Sequence, residues 1–132
     1  MKRLKIIFGD YIVYAKLHYD KAPRLIAALE KESPITGLVR HARVCENEWM
    51  LPIPSIDIND EENPIRPVPG DISVHRPGAH ICSWYAPMTP LGTTNVFASV
   101  AANELAEYEK QWRTVWRKPG AKVTVEIVEG GA

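Results

Sequence analysis

A cluster of reactive side chains occupies residues 41–48, where a histidine, an arginine, a cysteine and two glutamates follow one another closely. Glu46 and Glu48 are candidate general bases, Cys45 is a candidate nucleophile, and Arg43 is the candidate for stabilising a developing negative charge. Four strand residues span about 13 Å, so His41 cannot contact Cys45 directly, and we predict that it binds the ligand instead. Neighbouring carboxylates also raise the pKa of a thiol, so the alternative for Cys45 is an unreactive cysteine. The alternative for Glu46 and Glu48 is a solvated turn.

A second set of candidate ligand-binding side chains lies between residues 75 and 95. His75 and His80 flank a turn sequence, Cys82 follows on the same predicted strand, and Asn95 begins a later strand. Trp84 lies on a polar face, where an indole needs a ligand, a loop or a second subunit to cover it. The histidines could bind a metal together with His41, but no ligand spacing supports this, so we predict neither a metal nor a cofactor.

Two predicted β-hairpins place these side chains on strands. The first spans residues 38–53 and turns at Glu46-Asn47, because Asn tolerates a positive φ angle, so that Cys45 pairs with Glu48. The second starts at Asp71 and turns through residues 76–79, whose Pro-Gly sequence suits a tight turn. Alternation gives each hairpin an apolar face, formed by Ala42, Val44, Trp49 and Leu51 in the first and by Ile72, Val74, Ile81, Ser83 and Tyr85 in the second. The opposite, polar face of the first hairpin carries His41, Arg43, Cys45, Glu48 and Met50. That of the second carries Ser73, His75, His80, Cys82 and Trp84.

The remaining predicted elements are three strands and two helices. Alternation of apolar and polar residues predicts strands over residues 11–17, 95–100 and 122–128. The first helix is capped by Asp20, has Pro23 in its first turn and ends at Ser33-Pro34. The second helix is capped by Asn103 and ends at residues 118–120. Its buried face is predicted, from spacings of three and four, to comprise Leu105, Tyr108, Trp112, Val115 and Trp116.

Length and charge limit the class of protein to which the chain can belong. Its 132 residues suit a single domain, predicted to span 1–132, and 16 basic residues balance 16 acidic ones, which argues against nucleic acid as a partner. No apolar stretch reaches the roughly 20 residues of a membrane helix, so no membrane partner is expected. Two free cysteines are typical of a reducing compartment, which predicts a cytoplasmic protein. Aromatics such as Trp84 and Trp112, together with open strand edges, predict a homo-oligomer.

Short sequence words in a fixed order resemble a known family. The words are Glu62-Asn63, Pro69-Gly70-Asp71-Ile72, Pro77-Gly78, Trp84-Tyr85 and Thr94-Asn95-Val96-Phe97-Ala98. Together they resemble the small bacterial and archaeal proteins with a cyclophilin-like barrel, most of all the family labelled domain of unknown function 3830. The resemblance covers nearly the whole chain. It implies a mainly β fold with one or two helices, built as a small, closed or partly closed antiparallel barrel.

The resemblance also carries expectations about activity. Prolyl isomerase cyclophilins have a Phe-x-Arg pair, whereas His41 stands two residues before Arg43, so isomerase activity is disfavoured. Related cyclophilin-like domains occur in enzymes that act on urea-type and other small amides. This implies hydrolysis of a C–N bond in a small amide, imide or urea-type metabolite, cyclic or open. The alternative is a non-catalytic ligand-binding module or an accessory subunit of a larger hydrolase, and the sequence leaves the choice open.

Both hypotheses require one pocket for a small-molecule ligand. We predict that Arg43, Cys45, Glu46, Glu48 and Trp84 border it, with residues 56–69 and 87–94 over its rim, because long irregular loops tend to form binding segments. A slip of one residue in the first hairpin would move its reactive side chains to the opposite face and remove this arrangement.

Overall fold

The computed structural model describes residues 1–42, 46–56, 61–75, 79–88, 92–117 and 119–130. These residues form ten strands and two α-helices. In chain order the elements are β1 (Lys2–Phe8), β2 (Tyr11–Leu17), α1 (Pro23–Glu32), β3 (Ile35–Leu38), β4 (Arg40–Ala42), β5 (Glu48–Pro52), β6 (Pro64–Ile65), β7 (Asp71–His75), β8 (His80–Trp84), β9 (Thr94–Val100), α2 (Leu105–Arg117) and β10 (Lys122–Glu129). A 3₁₀ turn, Ala102–Glu104, leads into α2.

The strands form one antiparallel sheet that curls into a nearly closed barrel. Nine strands follow the order β3-β10-β1-β2-β9-β7-β8-β5-β4, and β6 pairs with β9. The two ends of the sheet approach each other, since a Cβ atom added to Gly37 in β3 would lie 3.2 Å from Leu51 Cδ1 in β5. The predicted mainly β fold with an antiparallel barrel is therefore confirmed. The narrower likeness to cyclophilins stays a prediction.

Alternating apolar residues of the strands fill the barrel. In β1 and β2, Leu4 pairs with Ala15 and Ile6 pairs with Val13, and all four side chains are buried. The period of two continues this inner face across the other strands. It adds the buried side chains of Leu17, Trp49, Leu51, Ile72, Val74, Ile81, Ala98, Val123 and Val125. Removing this apolar surface from water is the main favourable contribution to folding.

Helix α1 closes one end of the barrel. It starts at Pro23, a residue tolerated in a first turn, and buries Leu25, Ile26 and Leu29. Leu29 and Ile81 border an internal gap of only about 10 Å³. The α1 side chains thus pack closely against this end of the barrel.

Helix α2 closes the other end through an aromatic stack. Trp112 of α2 lies between Phe8, at the far end of β1, and Trp49 of β5. The ring centroids are 4.5 Å and 4.1 Å from that of Trp112, and the interplanar angles are 15° and 12°. Three stacked rings give α2 a large, rigid apolar contact with the barrel.

A buried chain of hydrogen bonds fixes α2 beside this stack. Trp49 Nε1 donates to the Tyr108 hydroxyl over 3.1 Å, and that hydroxyl lies 2.6 Å from Ser83 Oγ. Ser83 Oγ in turn donates to the Asp71 carbonyl oxygen over 2.8 Å. Because the Ser83 hydroxyl proton is already donated to Asp71, the Tyr108 hydroxyl donates to Ser83 Oγ, and burial raises the pKa of Tyr108 well above its usual range. Each polar group in this series of hydrogen bonds thus has a partner, as burial requires.

Gly70 turns the chain into β7 at a position that only glycine suits. Its φ is +93°, and an added Cβ atom would lie 2.8 Å from Leu105 Cδ2. Its amide donates to the Trp84 carbonyl oxygen over 2.8 Å, and its own carbonyl accepts from the Val100 amide over 2.9 Å. The Pro-Gly-Asp word of the sequence therefore corresponds to a turn that joins three strands.

The second predicted hairpin has the predicted register. His75 pairs with His80 and Ser73 pairs with Cys82, as a turn at residues 76–79 requires. Of the nine residues predicted for the apolar faces of the two hairpins, seven are buried: Trp49, Leu51, Ile72, Val74, Ile81, Ser83 and Tyr85. Ala42 is only half-buried, and Val44 lies outside the described residues.

The first predicted hairpin has the wrong register. Glu48 pairs with Ala42 instead of Cys45, so the β4 partner lies three positions earlier than predicted. An odd offset reverses the faces of one strand relative to the other. As a result His41 pairs with Trp49 and shares its face, and the predicted polar face with Glu48 is not formed.

The helix caps also differ from the prediction. The N-cap of α1 is Ala22, which makes no side-chain capping bond, and Asp20 lies before it. Asn103 lies inside the 3₁₀ turn instead of capping α2. On the predicted buried face of α2, Leu105 is half-buried and Trp116 is 37% exposed. Neither described helix is long and apolar enough to cross a membrane.

Candidate functional site

A cleft of about 460 Å³ lies between the C-terminal half of α2 and the turn that precedes β5. We call it the α2 cleft. The described residues that line it are Glu46 and Asn47 from the turn and Arg113, Trp116 and Arg117 from the helix. It combines a carboxylate, an amide, two guanidinium groups and an indole, which is the mixture of apolar surface and a few polar groups typical of small-molecule sites.

The turn that carries Glu46 has an uncommon backbone conformation. Glu46 has a φ of 63°, in the left-handed region that non-glycine residues seldom adopt. The sequence predicted that Asn47 would favour such an angle. Instead, Asn47 anchors the turn. Its side-chain Nδ2 donates to the Pro87 carbonyl oxygen over 2.7 Å, and its backbone carbonyl oxygen accepts from the Tyr85 amide over 3.0 Å. Strained backbone conformations cluster at functional sites, which favours a role for Glu46.

The wall behind the cleft is a packed group of rings. His41 Nε2 lies 2.7 Å from the Tyr85 hydroxyl, and the His41 ring meets Trp116 edge to face with centroids 4.6 Å apart. Tyr85 is buried at 1% exposure, and the Arg113 guanidinium lies 5.5 Å from its ring centroid. His41 was predicted to bind the ligand, and the structure places it against Trp116 and not among the described residues that line the cleft.

Other residues predicted for the pocket are not at the cleft surface. Glu48 is buried at 6% exposure and pairs with Trp84, which is buried at 4%. Trp84 is thus covered within its own chain, and Trp112 is fully buried, so neither is one of the exposed aromatics that the sequence analysis expected, while the homo-oligomer stays a prediction. Arg43 and Cys45 lie outside the described residues.

The remaining predicted ligand-binding residues lie toward the other end of β8. His80 begins β8 and Tyr85 follows its last residue, about 17 Å further along the strand. His75 is exposed opposite His80, and Cys82 is buried between them and the cleft end.

Asn95 supports the fold at a separate position. It is buried at 3% exposure, and its Oδ1 accepts the Asn63 amide over 2.9 Å. The structure therefore does not bring His75, His80, Cys82 or Asn95 to the α2 cleft.

A second polar cluster was not predicted from the sequence. Ser99 Oγ donates to Asp71 Oδ1 over 2.8 Å and lies 2.8 Å from His18 Nε2. The hydroxyl is in the middle of this chain, whereas an activated serine needs the imidazole between hydroxyl and carboxylate. Burial, and then the charge of Lys21, lowers the pKa of His18. Because Asp71 Oδ2 also accepts the Val68 amide over 3.0 Å, the cluster fixes the turn into β7.

Four residues of the cleft were not predicted as site residues, and the sequence assigned one of them, Asn47, to the hairpin turn. Trp116 was assigned to the buried face of α2, and Arg113 and Arg117 were not singled out. The available signal was two arginines at an i, i+4 spacing beside a tryptophan near a helix end. Among the residues that the structure describes, no group of three or more His, Cys, Asp or Glu side chains could hold a metal ion.

Comparisons with known proteins identify a family and a fold. The family described as "Protein of unknown function (DUF3830)" matches residues 4–81, and no curated protein matches the chain. A structure of McbB in complex with tryptophan is similar over 98% of this chain, with a TM-score of 0.77 and 19% identity, and this chain spans 45% of that protein's length. The solution structure of the hypothetical protein AF2241 from Archaeoglobus fulgidus is similar over 94% of this chain and 92% of its own, with a TM-score of 0.66 and 21% identity. At these identities both structures show the fold alone.

Proposed function

The chain belongs to the DUF3830 family, whose membership names no activity, and we propose from the geometry of the α2 cleft that it binds a small molecule there and hydrolyses a C–N bond in it. The observation that carries this proposal is the meeting of Glu46 with Arg113, Arg117 and Trp116 around one cavity of about 460 Å³. Ligand sites of roughly 300–1,000 Å³ are typical of metabolite-sized compounds. The substrate class is a small amide, imide or urea-type compound.

Each described group of the cleft has a role in this reaction. Trp116 offers its exposed face to a flat amide or ring. Glu46 removes a proton from the attacking water, whose oxygen bonds to the carbonyl carbon. Arg113 and Arg117 stabilise the negative charge that develops on the carbonyl oxygen. When the C–N bond breaks, Glu46 returns the proton to the leaving nitrogen, so that it ends the cycle as a carboxylate.

The choice of Glu46 over Glu48 rests on accessibility. Glu48 is buried and lies on the sheet face that carries Trp84, whereas Glu46 is exposed and borders the cleft. A general base must be within hydrogen-bonding reach of the proton that it removes. Cys45 is not required, because water serves as the nucleophile.

The neighbour McbB, in its complex with tryptophan, supplies a precedent for a flat, charged ligand in a protein of related fold. Since this chain spans less than half of McbB, that ligand is a probe for this chain and not its assigned substrate. Tryptophan therefore joins amides, ureas, imides and carboxylates in the set of compounds that we would test.

The second candidate is a binding module without turnover, acting as a sensor or an accessory subunit of a larger hydrolase. It is favoured by one observation: among the described residues that line the cleft, Glu46 is the one group suited to proton transfer. Cytoplasmic residence and self-association remain predictions from the sequence for either candidate. Prolyl isomerase activity remains disfavoured.

The test is a thermal-shift screen followed by measurement of ammonia or amine release. A ligand at 100 times its dissociation constant adds about 2.7 kcal/mol to the free energy of unfolding. For a compound that is turned over, Glu46→Gln should lower kcat about 10²–10⁴-fold while the variant still folds and binds. Glu32→Gln, at an exposed position at the end of α1, is the matched control and should leave kcat unchanged.

Three results would separate the candidates. Binding without release of ammonia or amine supports the binding module. Full turnover in Glu46→Gln would show that the base lies elsewhere. Binding that is unaffected by Trp116→Ala would move the ligand out of the α2 cleft and contradict the proposal as a whole.

A further inference from the structure

A second cavity of about 400 Å³ adjoins the α2 cleft on the outer side of the helix. The described residues that line it are Lys110, Arg113, Thr114 and Arg117. Their spacings of three, four and seven place them on one face of α2. Arg113 and Arg117 line both cavities, so the two cavities meet at these two side chains.

The second cavity concentrates positive charge in a chain that has none overall. The whole chain has 16 basic and 16 acidic residues, yet three of the four described residues around this cavity are cations. Lys110, Arg113 and Arg117 are spaced three and four apart, where like charges on a helix repel one another. An anion bound among them would offset this repulsion.

Arg113 is held in position by two contacts within the protein. Its Nη2 lies 2.6 Å from Glu109 Oε2, and its guanidinium carbon lies 5.5 Å from the Tyr85 ring centroid. Tyr85 is itself fixed by its hydrogen bond with His41. A guanidinium has five N–H donors, so the single contact with Glu109 leaves others available to a ligand. Fixing an arginine in advance lowers the entropy lost on binding.

Thr114 contributes shape and not a donor. Its hydroxyl donates to the Gln111 carbonyl oxygen over 2.7 Å, so its proton is already used. Recognition of an anion in this cavity therefore depends on the lysine and the two arginines. The planar fork of arginine matches the geometry of carboxylate and phosphate groups, whereas lysine acts as a point charge.

We propose that the ligand of the α2 cleft is an anion, whose carboxylate or phosphate group lies in the second cavity among Lys110, Arg113 and Arg117 while its amide lies against Trp116. This inference rests on the proposed function, because it places the amide of the ligand in the α2 cleft. It adds the substrate class: small amides that carry an oxyanion a few bonds away from the amide carbon.

The experiment compares three probes that share one amide group. Malonamide is neutral, malonamate replaces its second amide with a carboxylate, and phosphonoacetamide replaces it with a phosphonate. Affinities would be measured by calorimetry at constant ionic strength, because screening weakens exposed charge interactions. We expect at least one of the two anionic probes to bind at least ten-fold more tightly than malonamide, and the stronger one identifies the group that the site prefers.

Lys110→Gln is the decisive variant because Lys110 lines the second cavity and, among the described residues, is absent from the lining of the α2 cleft. It should weaken the anionic probes about ten-fold and leave the affinity for malonamide unchanged. Lys31→Gln, an exposed cation in the last turn of α1, is the matched control and should change neither.

Distinct results would overturn the inference and the proposed function. If malonamide binds in a way that depends on Trp116 but the anionic probes bind no more tightly, the inference is wrong and the proposed function stands. An equal loss of anion affinity in Lys31→Gln would reduce the effect to overall charge and likewise overturn the inference. If none of the three probes and no compound of the wider screen binds, both the inference and the proposed function are wrong.

Discussion

The two ends of the barrel are closed in different ways. At the α1 end, Leu29 packs against the barrel and leaves a gap of about 10 Å³. At the α2 end, Trp112 fills the barrel mouth, but Arg113, Trp116 and Arg117 extend beyond it and form one wall of a cleft of about 460 Å³. Among the described residues, the α1 side chains pack against one end of the barrel, and the other end combines packing with an accessible, charged surface.

The difference follows from the sequences of the two helices. α1 has ten residues and its apolar positions stop with Leu29, close to its end. α2 has thirteen residues, and its last turns carry basic side chains around Trp116. One face of α2, with the buried Tyr108, Trp112 and Val115, therefore seals the barrel, while Arg113, Trp116 and Arg117 line the cleft. A single helix can serve both purposes because its two faces meet different neighbours.

The largest expected effect comes from truncating one apolar side chain at each end. Leu29→Ala should lower the free energy of unfolding by about 2–5 kcal/mol, since it removes a buried side chain and leaves a cavity. Trp116→Ala removes a larger side chain that is 37% exposed and contacts the His41 ring, and it should cost less, about 1–2 kcal/mol. Urea unfolding of both variants measures the difference.

This contrast can fail in a clear way. If Trp116→Ala destabilised the protein as much as Leu29→Ala, the side chain of Trp116 would be part of the core, and the distinction between the two ends would not hold. Ligand binding provides the complementary measurement, because only Trp116→Ala should weaken it.

A smaller effect, dependent on pH, is expected where Glu62 meets the start of α1. The side chain is 9% exposed, and its Oε1 accepts the Leu25 amide over 2.8 Å. Burial, the largest influence, raises the pKa of Glu62, but hydrogen bonds from the Leu25 and Arg24 amides and the Arg24 guanidinium together lower it below its ordinary value of 4.5. The folded state therefore favours the ionised form.

A lowered pKa in the folded state fixes the sign of the effect. The stability that Glu62 contributes is fully present above pH 4.5 and is lost as the pH falls through the folded-state value. Glu62→Gln should lower the free energy of unfolding by about 0.3–1 kcal/mol at pH 7, the usual value for a carboxylate at a helix N-terminus. The difference in the free energy of unfolding between Glu62→Gln and the original protein should become smaller in acid. The neighbouring Glu61→Gln should have the same free energy of unfolding as the original protein at either pH.

The elements of the fold were predictable wherever local pattern decides structure. The strand at residues 11–17 was predicted with its observed bounds, because its apolar residues alternate without interruption. The second hairpin was correct because its turn sequence fixes a short loop. The first was wrong because the pairing of Ala42 with Glu48 leaves a five-residue connection, and the length of a connection is not encoded by alternation. Strand β1, whose pairing with β10 joins the two ends of the chain, was not predicted.

The site was less predictable than the fold because it joins segments that are distant in sequence. Glu46 was predicted for the pocket and lines the cleft, but the residues opposite it come from positions 113–117. Local spacing assigned Trp116 to the core, and only the position of the helix end over the turn shows that its ring is accessible. His41 reaches Trp116 through the register that the sequence did not determine.

The smallest expected effect compares two turns that share a backbone feature but lie at opposite ends of the barrel. Glu46 has a φ of 63° near the α2 cleft, and Ala79 has a φ of 45° in the turn between β7 and β8. A left-handed conformation costs a non-glycine residue about 1–2 kcal/mol, and glycine loses about 0.5–1 kcal/mol more conformational entropy on folding. Glu46→Gly and Ala79→Gly should therefore each raise the free energy of unfolding by up to about 1 kcal/mol, whereas Glu46→Ala should give no gain.

Ligand turnover should fall in both Glu46 variants and stay unchanged in Ala79→Gly. If Glu46→Gly instead lowered stability while Ala79→Gly raised it, contacts of the Glu46 side chain would hold the turn, and its left-handed backbone would be a structural requirement and not a strain kept for function.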